Sequence, residues 1–251
     1  MMTSNGKQQK IALITGGSRG IGKAIALEFA KSGIHIMINY YGDDKEAADV
    51  KRQAESYGVR AEVFHADVSD SAQVKDMFAA IDEQFGRLDI LVNNAGIAQA
   101  VKITEMTDEH WDRMLKIHLY GAFYTSREAA TRMLAQKAGK IINVTSDLAG
   151  QGGAELAHYS AAKGGVTSLT KSLARELAPY VLVNAVAPGG TFSDVRSSLE
   201  EGEHKNDSRN LLGRLAFPQE IARSVMFLAS DDANIFTGQV LGANGGSVMN
   251  G

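Results

Sequence analysis

Three residues stand at a spacing that could deliver a proton to a carbonyl oxygen. Tyr159 and Lys163 are four apart in Tyr159-Ser160-Ala161-Ala162-Lys163, and on a helix that spacing puts both side chains on one side. An ammonium beside a phenol favours the ionised phenolate. Without such help a phenol titrates near pH ~10 and is a poor acid–base group at neutral pH. Ser146, 13 residues upstream of Tyr159, can offer its hydroxyl to the same oxygen. A Tyr-x-x-x-Lys pair also arises by chance on helix surfaces, so its meaning depends on its company.

That company begins with Thr15-Gly16-Gly17-Ser18-Arg19-Gly20-Ile21-Gly22, which follows a short apolar run and opens into a helical pattern. Glycines let the backbone turn tightly and approach a pyrophosphate, whose charge meets exposed N–H groups and the positive end of the helix dipole. A glycine triplet also serves plain strand-to-helix turns, but its place after the first strand favours dinucleotide binding. The second strand ends in Asn39-Tyr40-Tyr41-Gly42, with no acid before Asp43. An acid there would hydrogen-bond the ribose of NAD, whereas a 2′-phosphate repels acids and attracts arginine. Tyr40 at the acid's place and Arg19 in the loop favour NADP(H), with NAD(H) as the alternative. Asp67-Val68 and Asn93-Asn94-Ala95-Gly96 follow the third and fourth strands, where open α/β sheets bind ligands, although both are also good turn formers.

Seven short apolar runs read as buried strands that could position these groups: Ile11–Ile14, Ile34–Ile38, Ala61–His65, Leu88–Val92, Lys140–Val144, Val181–Val186 and Val240–Ala243. Helical patterns over Ile21–Lys31, Lys45–Tyr57, Ala72–Phe85, Asp108–Leu134, Ala157–Leu177 and Pro218–Ala229 lie among them. The alternation predicts βαβ units in a parallel sheet with helices on both faces. Ser71 and Thr107 are expected N-caps, and Pro218 suits a first helical turn. Residues 1–9 read as a flexible tail and 10–251 as one domain, with polar Ser193–Arg214 a mobile lid over the site.

The 251 residues are 44% hydrophobic and 22% charged, which places the chain among soluble globular proteins. A formal charge of −3 without blocks of like charge argues against nucleic acid or an anionic membrane as partner. A small molecule fits better. The absence of cysteine excludes disulfides, thiolate metal sites and a cysteine nucleophile, and no metal site is read. Met1 to Gln9 lacks an apolar signal core, so a cytoplasmic location is expected.

With Thr15–Gly22, Asp67, Asn93–Gly96, Ser146, Tyr159, Lys163 and Asn184-Ala185-Val186-Ala187-Pro188-Gly189 in place, the chain resembles the short-chain dehydrogenase/reductase family from Lys10 to Ser247. Ser18-Arg19-Gly20-Ile21-Gly22 and the ending Thr237-Gly238-Gln239-Val240 are most similar to its 3-oxoacyl-(acyl-carrier-protein) reductase-like branch. The resemblance implies a single-domain, doubly wound Rossmann fold with a seven-stranded parallel sheet. It implies a ketone reduced to a secondary alcohol with NADPH, Tyr159 giving the proton, Lys163 holding the nicotinamide ribose and Ser146 polarising the carbonyl.

Cofactor contacts are implied at Gly16, Ser18, Arg19, Gly20, Ile21, Gly22, Tyr40, Asp67, Val68, Asn94, Ala95 and Gly96, besides Tyr159 and Lys163. Further contacts are implied at Pro188, Gly189, Thr191 and Ser193, where Ser193 replaces the family's threonine. His118 stands where the family usually has a catalytic asparagine; it is expected either to join a proton relay, titrating near neutral pH, or to fill space in the helix. The alternative readings are an NAD-dependent alcohol, steroid or sugar dehydrogenase running oxidatively, and a catalytically weak dinucleotide-binding regulatory subunit. An acyl-carrier protein as partner would need basic residues at the entrance, with Arg132, Lys137 and Lys140 as candidates. A homotetramer is expected from the resemblance, with Val166, Leu169, Leu173, Leu177 and Met249 as supporting apolar positions.

Overall fold

The computed structural model describes residues 9–192 and 210–249. Residues 1–8, Ser193 and the stretch to 209 lie outside the described residues, and with them most of the predicted tail and lid. Seven parallel strands form one sheet: β1 (Ile11–Ile14), β2 (His35–Tyr40), β3 (Ala61–His65), β4 (Ile90–Asn93), β5 (Gly139–Val144), β6 (Val181–Pro188) and β7 (Val240–Ala243). Their order is β3-β2-β1-β4-β5-β6-β7, the doubly wound Rossmann arrangement. Strand order reverses between β1 and β4, and a ligand crevice is expected beyond the carboxyl ends of these two strands.

The strands are apolar on both faces because helices cover both. Ile14, Ile38, Val92 and Ile142 pack toward α1 (Gly20–Lys31) and α8 (Pro218–Ala229), where Ile25, Phe29, Ile221 and Val225 complete one core. Their neighbours Leu13, Met37, Leu91 and Ile141 point the other way, onto Phe78 and Met77 of α3 (Ser71–Phe85) and Met133 of α5 (Gly121–Gln136). This alternation is the two-residue period of a strand buried on both sides. The remaining helices are α2 (Asp44–Glu55), α4 (Asp108–Leu115), the short α6 (Leu148–Gln151) and α7 (Ala157–Leu177).

Three local expectations change. The N-cap of α3 is Asp70, whose carboxylate accepts from the N–H groups of Ala72 and Gln73, and Ser71 is already helical. Thr107 does cap α4. The single helix expected over Asp108–Leu134 is interrupted by a π-helical turn, Lys116–Tyr120, of the kind that often marks functional sites. The helix α6 was not foreseen, because four residues are too few to show a period. No helix among the described residues is long and apolar enough to cross a membrane.

Candidate active site

A cleft of about 800 Å3 opens at the carboxyl edge of the sheet, where β1 and β4 part. The loop from β1 into α1 brings Gly16, Ser18, Arg19, Gly20, Ile21 and Gly22 to its wall. A Cβ on Gly22 would lie 2.0 Å from the Gly16 carbonyl oxygen, so only glycine allows this close turn. The N-cap of α1, Arg19, adds no side-chain bond and the first turn holds no acid, which leaves its amides and positive dipole end for an anion.

The tip of β4 is tied to that loop. Thr15 Oγ1 accepts from the N–H groups of Asn94 and Ala95 at 2.9 and 3.0 Å. Asn94 Nδ2 donates back to the carbonyls of Thr15 and Gly16 at 3.0 and 3.1 Å. Asn39 adds a third tie: it is buried, its carbonyl accepts from Gly17 N–H at 2.8 Å, and its Nδ2 donates to Ala66 O at 2.9 Å. Asp67 and Val68 reach the wall from the end of β3, and the Asp67 carboxylate is held by the backbone N–H and hydroxyl of Ser69. Motif reading placed Thr15 in the glycine stretch and Asn39 at the strand tip but gave neither this tying role. The signal for Thr15 was its hydroxyl beside the first glycine.

At the tip of β2 the two tyrosines exchange roles relative to expectation. Tyr40 turns inward and is buried, its hydroxyl donating to Asp44 Oδ1 at 2.8 Å and its ring meeting His65 edge-on. It does not line the cleft; Tyr41, mostly exposed, does. The alternating period of a strand sends neighbours to opposite sides, so a one-residue error in placing the tip exchanges the two.

Ser146, Tyr159 and Lys163 share the cleft wall. Ser146 follows β5, and its Oγ accepts from Leu148 N–H at 3.2 Å. Lys163 is buried, donates to Val144 O at 2.7 Å and lies 5.7 Å from the centre of the Tyr159 ring. Burial alone pulls its ammonium down to about pH 8. Pro188, Gly189 and Thr191 line the cleft from the end of β6.

His118 enters from the π turn, buried beneath Gly96 and edge-on to Tyr159 at 5.3 Å. A Cβ at position 96 would fall 2.2 Å from His118 Cε1, so Gly96 makes room for the imidazole. His118 Nε2 lies 2.8 Å from Ile97 O and 3.1 Å from Ile97 N. The shorter contact assigns the proton to Nε2, leaving Nδ1 an acceptor with no partner among the described residues. Burial, and then the Lys163 charge, push its pKa down to about 3. The expectation that His118 titrates near neutral pH is therefore corrected: this imidazole is neutral.

The basic residues expected near an entrance lie elsewhere. Arg132 and Lys137 are at the end of α5, and Lys140 opens β5, at the amino edge of the sheet opposite the cleft. Arg132 pairs there with Asp82 and Glu128, and Lys140 bonds the carbonyl of Ser230. Besides Lys163, the cations at the cleft among the described residues are Arg19 of the glycine loop, with Arg113 and Lys116 on the α4 side.

Known proteins share this architecture. A family model described as Enoyl-(Acyl carrier protein) reductase matches residues 16–248. A 3-oxoacyl-(acyl-carrier-protein) reductase FabG of Staphylococcus aureus (strain Mu50) is 41% identical over 245 residues, spanning 97% of this chain and 100% of its own. FabG of Thermotoga maritima is 37% identical over 244 residues, spanning 96% of this chain and 98% of its own. Among solved structures, acetoin dehydrogenase from Enterobacter cloacae superposes with a TM-score of 0.87 at 35% identity, over 95% of each chain. Near-complete coverage at these identities, on the same topology, means that the chain belongs to the short-chain dehydrogenase/reductase family of oxidoreductases.

Proposed function

We propose that the enzyme reduces a 3-oxoacyl group carried on acyl-carrier protein to the 3-hydroxyacyl product, with NADPH as reductant and Tyr159 as proton donor. The observation that carries this reading is the convergence of Ser146, Tyr159 and Lys163 on the cleft that the glycine loop opens. The names of the curated relatives support the carrier-bound substrate. The close turn at Gly22, the uncapped first turn of α1 and Arg19 at the wall suit a dinucleotide with a 2′-phosphate. A nicotinamide dinucleotide, when bound, supplies the hydride.

The chain's own residues do the rest. Ser146 Oγ–H and Tyr159 O–H together orient the carbonyl oxygen, and the Tyr159 proton passes to that oxygen as it gains negative charge. The Lys163 ammonium, fixed by Val144 O, stabilises the phenolate left behind. His118, neutral and bonded to Ile97, holds the Tyr159 ring in position. On the α4 wall, which carries Glu109 and Asp112 as well as Arg113 and Lys116, Arg113 is the cation offered to an acidic carrier: it has no ion-pair partner among the described residues, whereas Lys116 pairs with Asp112 at 3.6 Å. Assembly into a homotetramer belongs to the same reading, supported by exposed Ile235 and Met249 near the β7 edge.

A second reading, interconversion of a small hydroxyketone and its diketone, is favoured by the acetoin dehydrogenase structures that the fold superposes on. One assay separates the two: NADPH and NADH oxidation with an acetoacetyl-carrier protein and with diacetyl. The proposed function expects the higher kcat/KM for the carrier thioester with NADPH. A preference for diacetyl, or for NADH, transfers the assignment to the second reading or the other cofactor.

A further inference from the structure

We propose that Asp147 makes the site select against substrates bearing an anionic group next to the reacting carbonyl, an inference that rests on the ketoreductase reading. Asp147 directly follows Ser146 and lines the cleft with Ser146, Leu148 and Tyr159. Its Oδ1 accepts from Ser146 Oγ at 3.2 Å, its Oδ2 accepts from Ser247 Oγ at 2.8 Å, and its N–H donates to Pro188 O at 3.0 Å. Two hydroxyls, from its neighbour Ser146 and from distant Ser247, thus hold the carboxylate, and the bond to Pro188 fixes the backbone that carries it. None of these bonds comes from a lysine or arginine, and the side chain has no ion-pair partner among the described residues.

The geometry bounds the distance to the substrate. A carbonyl oxygen held by Ser146 sits about 3 Å from Oγ, which puts it within about 6 Å of Asp147 Oδ1 in any productive pose. The 3.2 Å contact is long for a hydroxyl on a carboxylate, where about 2.6 Å is usual, so Ser146 is readily released to the carbonyl while Ser247 keeps the firmer bond. A carboxylate on the carbon beside the substrate carbonyl would face this charge, which no lysine or arginine bonds; the nearby Lys163 ammonium is committed to Val144 O. At an effective dielectric constant of about 20, that repulsion disfavours binding about 10- to 100-fold. Neutral flanks such as thioesters, amides and hydroxyketones escape it, and a hydroxyl there can donate to Oδ1. Free 2-oxo and 3-oxo acids are the class excluded.

The test compares acetoacetate with acetoacetamide, an anion and its near-isosteric neutral counterpart, in wild type, Asp147→Asn and Ser247→Ala. The wild type is expected to prefer the amide at least about 10-fold in kcat/KM, and Asp147→Asn to narrow that ratio about 10-fold, chiefly through the KM of acetoacetate. Ser247→Ala removes an anchor and keeps the charge, so its ratio should stay with wild type. Equal ratios in wild type and Asp147→Asn overturn the proposal alone. Should Asp147→Asn not fold, a wild-type ratio near one overturns the proposal by itself. Turnover of the acetoacetyl-carrier protein but of neither small compound overturns this proposal alone, because the neutral amide is then refused as firmly as the anion; turnover of none of the three overturns the ketoreductase reading with it.

Discussion

On the floor of the cleft, Thr15, Asn94, Lys163 and His118 direct their polar atoms at backbone groups of β1, β4 and β5 and the segments beside them. At the rim, Arg19, Tyr41 and Arg113 are exposed, and the aromatic contact of Tyr41 with His65 is the only hydrogen-bonding, ionic or ring contact that the three side chains make among the described residues. The two regions share one cavity but are held by different forces. Floor groups are desolvated, so each hydrogen bond fixes a geometry that would be costly to leave unsatisfied. Rim charges are screened by water and salt and retain their rotamer freedom. Under the proposed function, the contrast gives the chemistry to the floor and the choice of ligand to the rim.

The sharpest way to break that division is at Tyr159. Tyr159→Phe removes one proton with little change of volume, and turnover should fall about 10²- to 10⁴-fold, with dinucleotide binding, read by fluorescence titration, preserved. Near-full ketone reduction by the Phe variant would take the acid away from the floor. At the rim, Tyr41→Asp sets a carboxylate at the cleft wall and should shift the NADPH/NADH ratio of kcat/KM toward NADH by about 10-fold. Tyr40→Asp should instead lower Tm, because it would bury a carboxylate next to the exposed one of Asp44. The reverse outcome would return the cofactor choice to Tyr40.

The smallest effect sharpens the floor's internal roles. Lys163 carries its ammonium below about pH 8 and loses it above, so kcat should decline as pH rises through that value. His118, with its pKa near 3, is uncharged across neutrality and contributes no limb there. Wild-type and His118→Asn profiles of kcat should therefore run parallel from pH 5 to 8. A neutral-pH limb present only in the wild type would restore His118 as a titrating relay.

Glycine spacing, strand runs and the Tyr-x-x-x-Lys pair were legible in the sequence because each is a local constraint. A turn that needs Gly22, a strand buried on both faces or a four-residue helical step depends on near neighbours along the chain. The fold class and the set Ser146, Tyr159 and Lys163 followed from these. The π turn did not, since Lys116-Ile117-His118-Leu119-Tyr120 has an ordinary helical composition and its extra residue is accommodated by contacts to α7 and to Gly96 and Ile97 beyond β4. Nor did the position of Arg132, Lys137 and Lys140, which a motif scan cannot assign to one edge of a sheet or the other.

What the sequence determined by itself is the order of the strands and main helices, the tight glycine turn after β1 and the identity of the groups, Ser146, Tyr159 and Lys163, that meet at the cleft. Tertiary structure alone decided which of Tyr40 and Tyr41 faces the cleft, that His118 is desolvated into a neutral state, and that Ser247 reaches the carboxylate beside Ser146 from 100 positions along the chain from Asp147. The physical reason is common to all three. Orientation, desolvation and long-range hydrogen bonding are properties of the packed neighbourhood, and that neighbourhood is assembled from segments that are distant in sequence.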